Sequence, residues 1–406
     1  MTQPLSIAVV GAGLGGLTAA AALLRSGFSV DIYEQASQLG DVGAGLQLGA
    51  NAVRCLQSLG LAEDLERAAV RPAGKQVRLW STGEATRLFD LGATSIKEYG
   101  FPYLMVHRAD LHQVLVAAVR RAAPDAIRLG ARCVGVELGA EGAVLLTADG
   151  VRRRYDAVVG ADGVHSHIRA ALGNQDYPAF TGCVAWRGLI PVERAGNYAS
   201  DCMGTNWIGP GAHVITYPIR GGALVNFVGI VERSDWQVES WNVPGTIEEC
   251  ARDFAGWHPD VLKLIHAIDK PYKWALMSRA PLARWSKGCA TLLGDACHPT
   301  LPFLAQGAAM AIEDGIVLAR AVAANPHHLP NAFAAYEATR QERTRRIVEG
   351  SAAAGRRFHN PELGSPEGAR AYVAREWSEA RVRERYQWLF EYDALTTPLA
   401  AAVAVA

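Results

Sequence analysis

What this chain lacks bounds it first. Its 406 residues carry 40 basic and 40 acidic side chains, so no net charge points to a nucleic acid or an anionic surface. No apolar run approaches the roughly 20 residues of a helical membrane span. The seven cysteines are scattered without a C-x-x-C pair, which argues against a zinc site or disulfide framework and for reduced thiols in the cytoplasm. The first strand starts within a few residues of Met1, leaving no room for a signal peptide. Arg152–Arg154 and the group Arg343, Arg345, Arg346 read as solvated faces. The tail Leu399–Ala406 is small, apolar and too short to span a membrane, and reads as frayed. What remains is an ordinary globular composition with length for two or three domains.

What is present begins at Ile7–Val10, an apolar strand running into Gly11-Ala12-Gly13-Leu14-Gly15-Gly16 and then a helix. Gly11 permits a tight turn, Gly13 lets backbone approach a pyrophosphate, and Gly16 lets the helix pack against the strand. Leu14 and Gly15 lie within the turn, where the first N–H groups of the helix favour an anion. A second strand, Val30–Tyr33, ends at Glu34 and Gln35, close to the spacing at which an acid meets adenosine ribose hydroxyls. This context predicts dinucleotide binding; a glycine-rich turn with no ligand is the alternative.

Gly40–Gly49 holds four glycines and reads as a loop whose backbone, at Gly43, Ala44 and Gln47, can lie along a flat or phosphorylated group. Asn51–Leu59 looks helical, and Gln76–Leu91 alternates like strand. A strong helix follows Val106-His107, with Leu111, Leu115 and Val119 inward and Arg108 at its mouth, either a cation for phosphates or a structural ion pair. After strands at Ala131–Val136 and Ala143–Thr147, a buried strand ends in Gly160-Ala161-Asp162-Gly163, at the carboxyl end of a parallel sheet, where such sheets bind ligands. From Gly182 to Arg279 the texture becomes β-rich, with strands at Cys183–Pro191, Met203–Ile208, His213–Ile219 and Leu224–Val231, a helical interlude at Thr246–Ala267 and strand again at Tyr272–Ser278. A third apolar strand ends in Gly294-Asp295, followed by His298-Pro299 and by Gln306-Gly307-Ala308-Ala309 opening a helix through Ala323. Asn331–Gly350 is a long helix, and Ala369–Phe390 a last one, either a dimer contact or a lid on the core.

Three strand ends thus point at one ligand, and the combination resembles the single-component FAD-dependent aromatic hydroxylases, the class A flavoprotein monooxygenases. The likeness runs from about Ile7 to Arg346; the stretch Leu292–Gly315 looks most like salicylate hydroxylase, 3-hydroxybenzoate 6-hydroxylase and 6-hydroxynicotinate 3-monooxygenase. The resemblance implies an α/β fold of the para-hydroxybenzoate hydroxylase type. A Rossmann-like FAD-binding domain would occupy 1–181, with a short strand insert near 76–100, and resume over 282–350. An antiparallel β-sheet substrate domain would fill 182–281, and a helical segment 351–406. It implies FAD at Gly11, Gly13, Gly16 and Glu34, with Arg108 over the pyrophosphate and Asp162 supporting FAD and a visiting nicotinamide. Asp295 would take the ribityl side, Pro299 and Gln306–Ala309 would flank the isoalloxazine, and Gly43–Gln47 its other side. NAD(P)H, with NADH favoured, would visit and leave, because no second G-x-G-x-x-G is present. The implied reaction passes through a C4a-hydroperoxyflavin, formed with O2, to a small aromatic carboxylate, in a monomer or homodimer.

A phenol reacts better as its phenolate, so a base should stand near it. His213, Ile215 and Tyr217 share one strand face and would offer a base, an apolar contact and a hydroxyl. The plain alternative is a hydrogen-bonded core histidine beside a core tyrosine. His298 is a second candidate or a packing residue; Cys202 and Cys297 read as small buried hydrophobes, and Trp186, Trp207 and Trp257 as core. Pro302 stands where the 3-hydroxybenzoate enzymes are expected to place a glutamine, which departs from their regiochemistry, and Gln47 where the hydroxynicotinate enzymes have histidine, which disfavours a pyridine. Salicylate or 3-hydroxybenzoate is the expected substrate. A hydroxynicotinate-like or larger quinolone or polyketide ring, and a non-catalytic dinucleotide-binding protein, are the alternatives.

Overall fold

The structure is a computed structural model and describes residues 4–40, 43–89, 91–139, 142–174, 177–196, 202–235 and 243–401. Five parallel strands form the first sheet, in the order Ala290–Leu292, Ala157–Gly160, Ser6–Val10, Ser29–Tyr33, Ile127–Arg128. Their near-continuous apolar runs suit a sheet covered on both faces. The helix Leu14–Arg25 is buried along almost its whole length between this sheet and the helix Gly307–Ala324. The carboxyl ends of Ser6–Val10, Ala157–Gly160 and Ala290–Leu292 lie side by side, which brings the three predicted loops to one edge.

The second large sheet has eight strands, in the order Val243–Pro244, Tyr272–Ser278, Ala179–Pro191, Leu224–Glu232, Ala212–Ile219, Met203–Gly209, Gly74–Leu79, Ala85–Phe89. It is antiparallel except where Met203–Gly209 pairs in parallel with Gly74–Leu79. Strands that read as a small insert in the first domain therefore extend the β-rich sheet. One sheet face buries Trp186, Trp207 and Trp257 among the helices Ile247–Asp253 and Pro259–His266, as expected for core tryptophans. The other face, with Ile208, Ile215 and Tyr217, looks toward Phe303, Leu304, Ile347 and Phe358 of the first domain and its C-terminal helices.

Several local expectations change. Four of the ten residues of the glycine-rich stretch are strand: Gly45–Leu48 pairs with Leu104–His107, while Asp41 and Val42 lie outside the described residues. The long helix runs Leu329–Phe358, and the last one is two helices, Pro366–Glu376 and Glu379–Glu391. Phe390 of the latter packs on Tyr99 and Tyr103, so this segment covers the core. Arg343 is not solvated. It is buried and ion-paired with Glu313, because its helix packs on Gly307–Ala324; Arg345 stays exposed beside Glu342 and Glu349. Cys297 is buried as expected, but Cys202 is only partly so and sits at φ 47°, at the entry to a strand. No helix among the described residues is long and apolar enough to cross a membrane. The tail beyond Ala401 lies outside the described residues.

Candidate active site

The turn after Ser6–Val10 shows why glycine stands where it does. Gly11 has φ +105°, and a Cβ there would lie 2.4 Å from the Ala161 carbonyl oxygen. A Cβ on Gly16 would lie 2.0 Å from the Gly11 carbonyl oxygen. The first and second motif loops therefore touch backbone to backbone. Gly13, at the N-cap of the helix, has open space where its Cβ would stand, which is the room a pyrophosphate needs above the first N–H groups. Gly15 turns the other way: its bare face meets Leu293 and Ala311, so its missing side chain serves packing.

A cavity opens at this helix start, lined by Gly13, Glu34, Ala36, Leu39, Arg108 and His112 among others. Glu34 accepts hydrogen bonds from the N–H groups of Ala12 and Ala36, both 2.9 Å. That fixes its carboxylate at the rim with lone pairs to spare for ribose hydroxyls. Gln35 is exposed and does not line the cavity, and Leu111 is turned into the core. Arg108 opens the helix Arg108–Ala122, and its side chain packs against Gly43, where a Cβ would stand 2.8 Å from Arg108 Cβ. Burial lowers the guanidinium pKa and nearby Asp295 raises it, which places the two charges across the same space. His112, one turn along the same helix face, bonds the Ala12 carbonyl through Nε2 at 2.7 Å. The sequence reading missed it; its i+4 position relative to Arg108 is the signal that was available.

In the second motif Asp162 is engaged by its own loop. It accepts from the Ser166 hydroxyl and from the N–H groups of His167, 2.8 Å, and Ile168, 3.2 Å. Its carboxylate shapes the loop that rests on Gly11. In the third motif the Asp295 side chain is exposed. The surrounding protein raises its carboxyl pKa, while His298 and Arg108 pull it back. Pro299 is half-buried beside it, as are Gly307 and Ala308 at the helix start. Gln306 caps that helix, is buried, and accepts from Asn51 Nδ2 at 3.0 Å; Ala309 is fully buried.

These loops rest on a buried charge network that sequence reasoning did not find. Asp314 Oδ2 accepts from the Gly294 N–H at 3.0 Å and bonds His298 Nε2 at 2.6 Å, while Oδ1 accepts from Arg340 Nε at 2.8 Å. Glu313 bonds Arg340, Arg343 and Asn51. Burial would raise the Asp314 carboxyl, but His298 and Arg340 outweigh it and hold it down to about 2. His298 is buried against Trp285 and bonded through Nε2 to Asp314, while its Nδ1 has no partner among the described residues.

His213 and Tyr217 do share a face, together with Ile215, but four residues of strand separate them, about 13 Å. His213 is fully buried against Phe303 and Phe358. Its Nδ1 bonds His359 Nε2 at 2.6 Å, and His359 Nδ1 bonds the Glu232 carboxylate at 2.8 Å. Its Nε2 is buried without a partner among the described residues. Burial, then His359, hold its pKa well below the usual value, so the ring is neutral. Tyr217 lies under Gly45, where a Cβ would stand 2.5 Å from its ring, and beside Gln47, whose Oε1 accepts from Tyr103 OH at 2.9 Å. Asn226, cross-strand from Tyr217, holds the Gly45 N–H at 2.7 Å. The strand Gly45–Leu48 is thereby fastened to the sheet.

Comparison with known proteins agrees. Residues 5–351 match the family described as FAD binding domain. The chain is 39% identical to a 3-amino-4-hydroxybenzoate 2-monooxygenase of Streptomyces platensis, over 96% of each chain. It is 37% identical to a 6-hydroxynicotinate 3-monooxygenase of Pseudomonas fluorescens, over 98% of each. A solved salicylate hydroxylase substrate complex superposes with TM-score 0.81 at 27% identity, covering all of both chains. The Gly11–Gly16 cradle, the open space at Gly13 and the cation–acid pair at the rim fit the cofactor this family holds. The fold and the resemblance read from the three motifs are borne out, and the chain belongs to the FAD-dependent aromatic monooxygenases of the class A flavoprotein family.

Proposed function

We propose that this chain hydroxylates a small hydroxylated aromatic carboxylate of the hydroxybenzoate class, salicylate or 3-hydroxybenzoate first, using O2 and NAD(P)H, with NADH the reductant to test first. The observation that carries the reading is the unpartnered Nε2 of neutral, buried His213 on the face that also presents Ile215 and Tyr217. Bound in the cleft, FAD supplies reduction by the nicotinamide and activation of oxygen.

The chain's own residues do the rest. His213 Nε2 would accept the phenol proton, raising electron density ortho and para to the oxygen. Burial keeps the ring neutral and able to accept but disfavours the imidazolium it becomes, a cost that the His359–Glu232 line behind Nδ1 would offset. Ile215 would support the ring, and Tyr217 with Gln47 would hydrogen-bond its far end. Gly11–Gly16, Glu34 and Arg108 would hold the pyrophosphate and ribose, and Asp295, Pro299 and Gln306–Ala309 the ring side. Asp162 would act through its loop. Phe303, Phe358 and Leu304 exclude water, whose entry would divert activated oxygen to peroxide.

The relatives support the class: by their names they act on an aminohydroxybenzoate and a hydroxynicotinate, each a ring bearing hydroxyl and carboxylate. Gln47, which is not a base, favours a benzenoid ring over a pyridine. The test is to mix the FAD-loaded protein with NADH, NADPH and a panel of hydroxybenzoates, 3-amino-4-hydroxybenzoate and 6-hydroxynicotinate, following nicotinamide oxidation and product mass. A product one oxygen heavier from a hydroxybenzoate supports the reading. Nicotinamide oxidation that no hydroxylated carboxylate stimulates overturns it.

A further inference from the structure

Three side chains from three separate elements form one hydrogen-bonded line that ends at His213. The strand Ala212–Ile219 carries His213, the helix Leu329–Phe358 ends on His359 as its C-cap, and the strand Leu224–Glu232 ends on Glu232. The two histidine rings stand 4.9 Å apart between centroids. Backbone bonds fix the same three elements to one another. The Gly211 N–H donates to the His359 carbonyl at 3.2 Å, the Glu232 N–H donates to the Gly211 carbonyl at 2.8 Å, and the His359 N–H donates to the Gly355 carbonyl at 3.1 Å. Phe303 packs against both rings and Phe358 against His213, while Ile208 and Ile230 flank His213 across the strands. The bond between the rings therefore lies in apolar surroundings, where a hydrogen bond is strong.

The direction of each bond follows from chemistry. A carboxylate only accepts. Glu232 Oε1, 2.8 Å from His359 Nδ1, therefore takes a hydrogen that His359 Nδ1 carries. Burial outweighs the pull of that carboxylate and keeps His359 below its ordinary pKa, so the ring is neutral and its Nε2 is bare. A bare nitrogen accepts, and His213 Nδ1, 2.6 Å away, must then be the donor. His213 is neutral too, so its single hydrogen sits on Nδ1. Its lone pair stands on Nε2, the atom without a partner among the described residues. Without the carboxylate the order is free to reverse. His359 would donate from Nε2, and His213 would carry its hydrogen on its own Nε2, where it accepts nothing.

We infer that Glu232 and His359 are positioning residues for the base: together they hold the His213 hydrogen on Nδ1, so that Nε2 keeps a lone pair for the phenol proton. The inference rests on the proposed role of His213 as the base and adds the two residues that fit it for that role. A neutral imidazole carries its hydrogen on either nitrogen, and the bond made by one nitrogen decides the state of the other. A carboxylate directly behind a histidine makes that choice in hydrolytic and metal sites. Here the carboxylate is exposed, and a second histidine carries its effect inward to a fully buried ring. Neither Glu232 nor His359 is required to touch the substrate.

The experiment uses FAD-loaded enzyme labelled in its histidines with the heavy nitrogen isotope, so that NMR reads which ring nitrogen carries the hydrogen; the His213 signals are those lost in His213→Asn. Hydroxylation of salicylate or 3-hydroxybenzoate, whichever wild type turns over, is measured alongside. Wild type should hold the hydrogen on His213 Nδ1. His359→Phe and Glu232→Leu should move it to Nε2 in a large share of molecules and cut kcat roughly 10-fold or more. KM should stay within about threefold, because a protonated Nε2 still bonds the phenol oxygen as a donor. Glu232→Asp keeps an acceptor-only group and should return both readouts toward wild type. Glu232→Leu alters an exposed side chain, so the test survives poor folding of His359→Phe. A hydrogen that stays on Nδ1 in these variants overturns the inference alone, even where the melting temperature falls, since that is what a packing role gives. Wild type that carries it on Nε2, or a hydrogen that moves while kcat does not, overturns the base reading as well. If wild type turns over no hydroxybenzoate, the substrate class falls, and the position of the hydrogen still decides the inference.

Discussion

Replacing Asp314 by asparagine tests the buried charges beneath the flavin-side loops. Two carboxylates, Glu313 and Asp314, face two guanidiniums, Arg340 and Arg343, all buried. The substitution keeps shape and removes one negative charge, so a guanidinium is left uncompensated. Such a break costs about 3–5 kcal/mol. A second route to the magnitude agrees in scale. The carboxyl is held to about 2 against an ordinary 3.8, which corresponds to roughly 2–3 kcal/mol. The folded pKa lies below the unfolded one, so this contribution is complete above about pH 4 and is lost as the pH falls through 2.

Unfolding entropy of about 2 cal/mol/K per residue, taken over 406 residues, turns 3–5 kcal/mol into a melting temperature lower by about 4–6 °C. Scanning calorimetry of the apoprotein reads it. Asn offers one acceptor oxygen where Asp offered two, so Arg340 or the Gly294 N–H loses its bond, and FAD titration should show weaker binding. Asp314→Asn with Arg340→Met restores charge balance and should be more stable than the sum of the single changes predicts. A single variant within 1 °C of wild type, or a strictly additive pair, refutes the network's role.

Three further outcomes follow from the same geometry. Gly11→Ala places a Cβ 2.4 Å from the Ala161 oxygen at φ +105°, so FAD affinity measured by fluorescence should fall by on the order of 100-fold; retention of wild-type affinity would show that the two loops part at no cost. His213→Ala should keep FAD yet lose most substrate-coupled turnover, with NADH oxidation diverted to peroxide; full coupling would remove His213 as the base. Because burial keeps His213 and His359 less basic than in the unfolded chain, the unfolded state binds more protons below about pH 6.5, and stability should decline as pH falls from there toward 5. Urea denaturation checks this, and the slope should shrink in His213→Asn.

The motifs were legible because each is local. Gly11, Gly13, Gly16 and Glu34 declare a strand, a turn and an acid within one βαβ unit, and their convergence with Gly160–Gly163 and Gly294–Asp295 needs only adjacent parallel strands. The eight-stranded sheet was only half legible. Gln76–Leu91 reads as strand, but nothing in its sequence says that it will pair in parallel with Met203–Gly209, more than a hundred residues away. Arg343 was misread for the same reason: helical periodicity places a side chain on a face, while its charge invites a solvated reading that Glu313, on another helix, overrides.

The histidines carry this argument furthest. His213 and His298 look alike in sequence, each near a predicted site, and both prove fully buried. Each keeps one ring nitrogen buried with no partner among the described residues, so what separates them is what stands behind the other. His298 Nε2 is held by Asp314, which also grips Gly294 and Arg340, so protonation or movement of that ring would disturb the loop it supports. His213 has its Nδ1 backed by His359 and, beyond it, by the exposed Glu232, while Nε2 is buried with no partner among the described residues. A buried polar atom left open costs about 1–3 kcal/mol. A fold that holds one there, at the end of a hydrogen-bonded line reaching exposed Glu232, would keep an acceptor ready for a proton and a route for its charge to be shared.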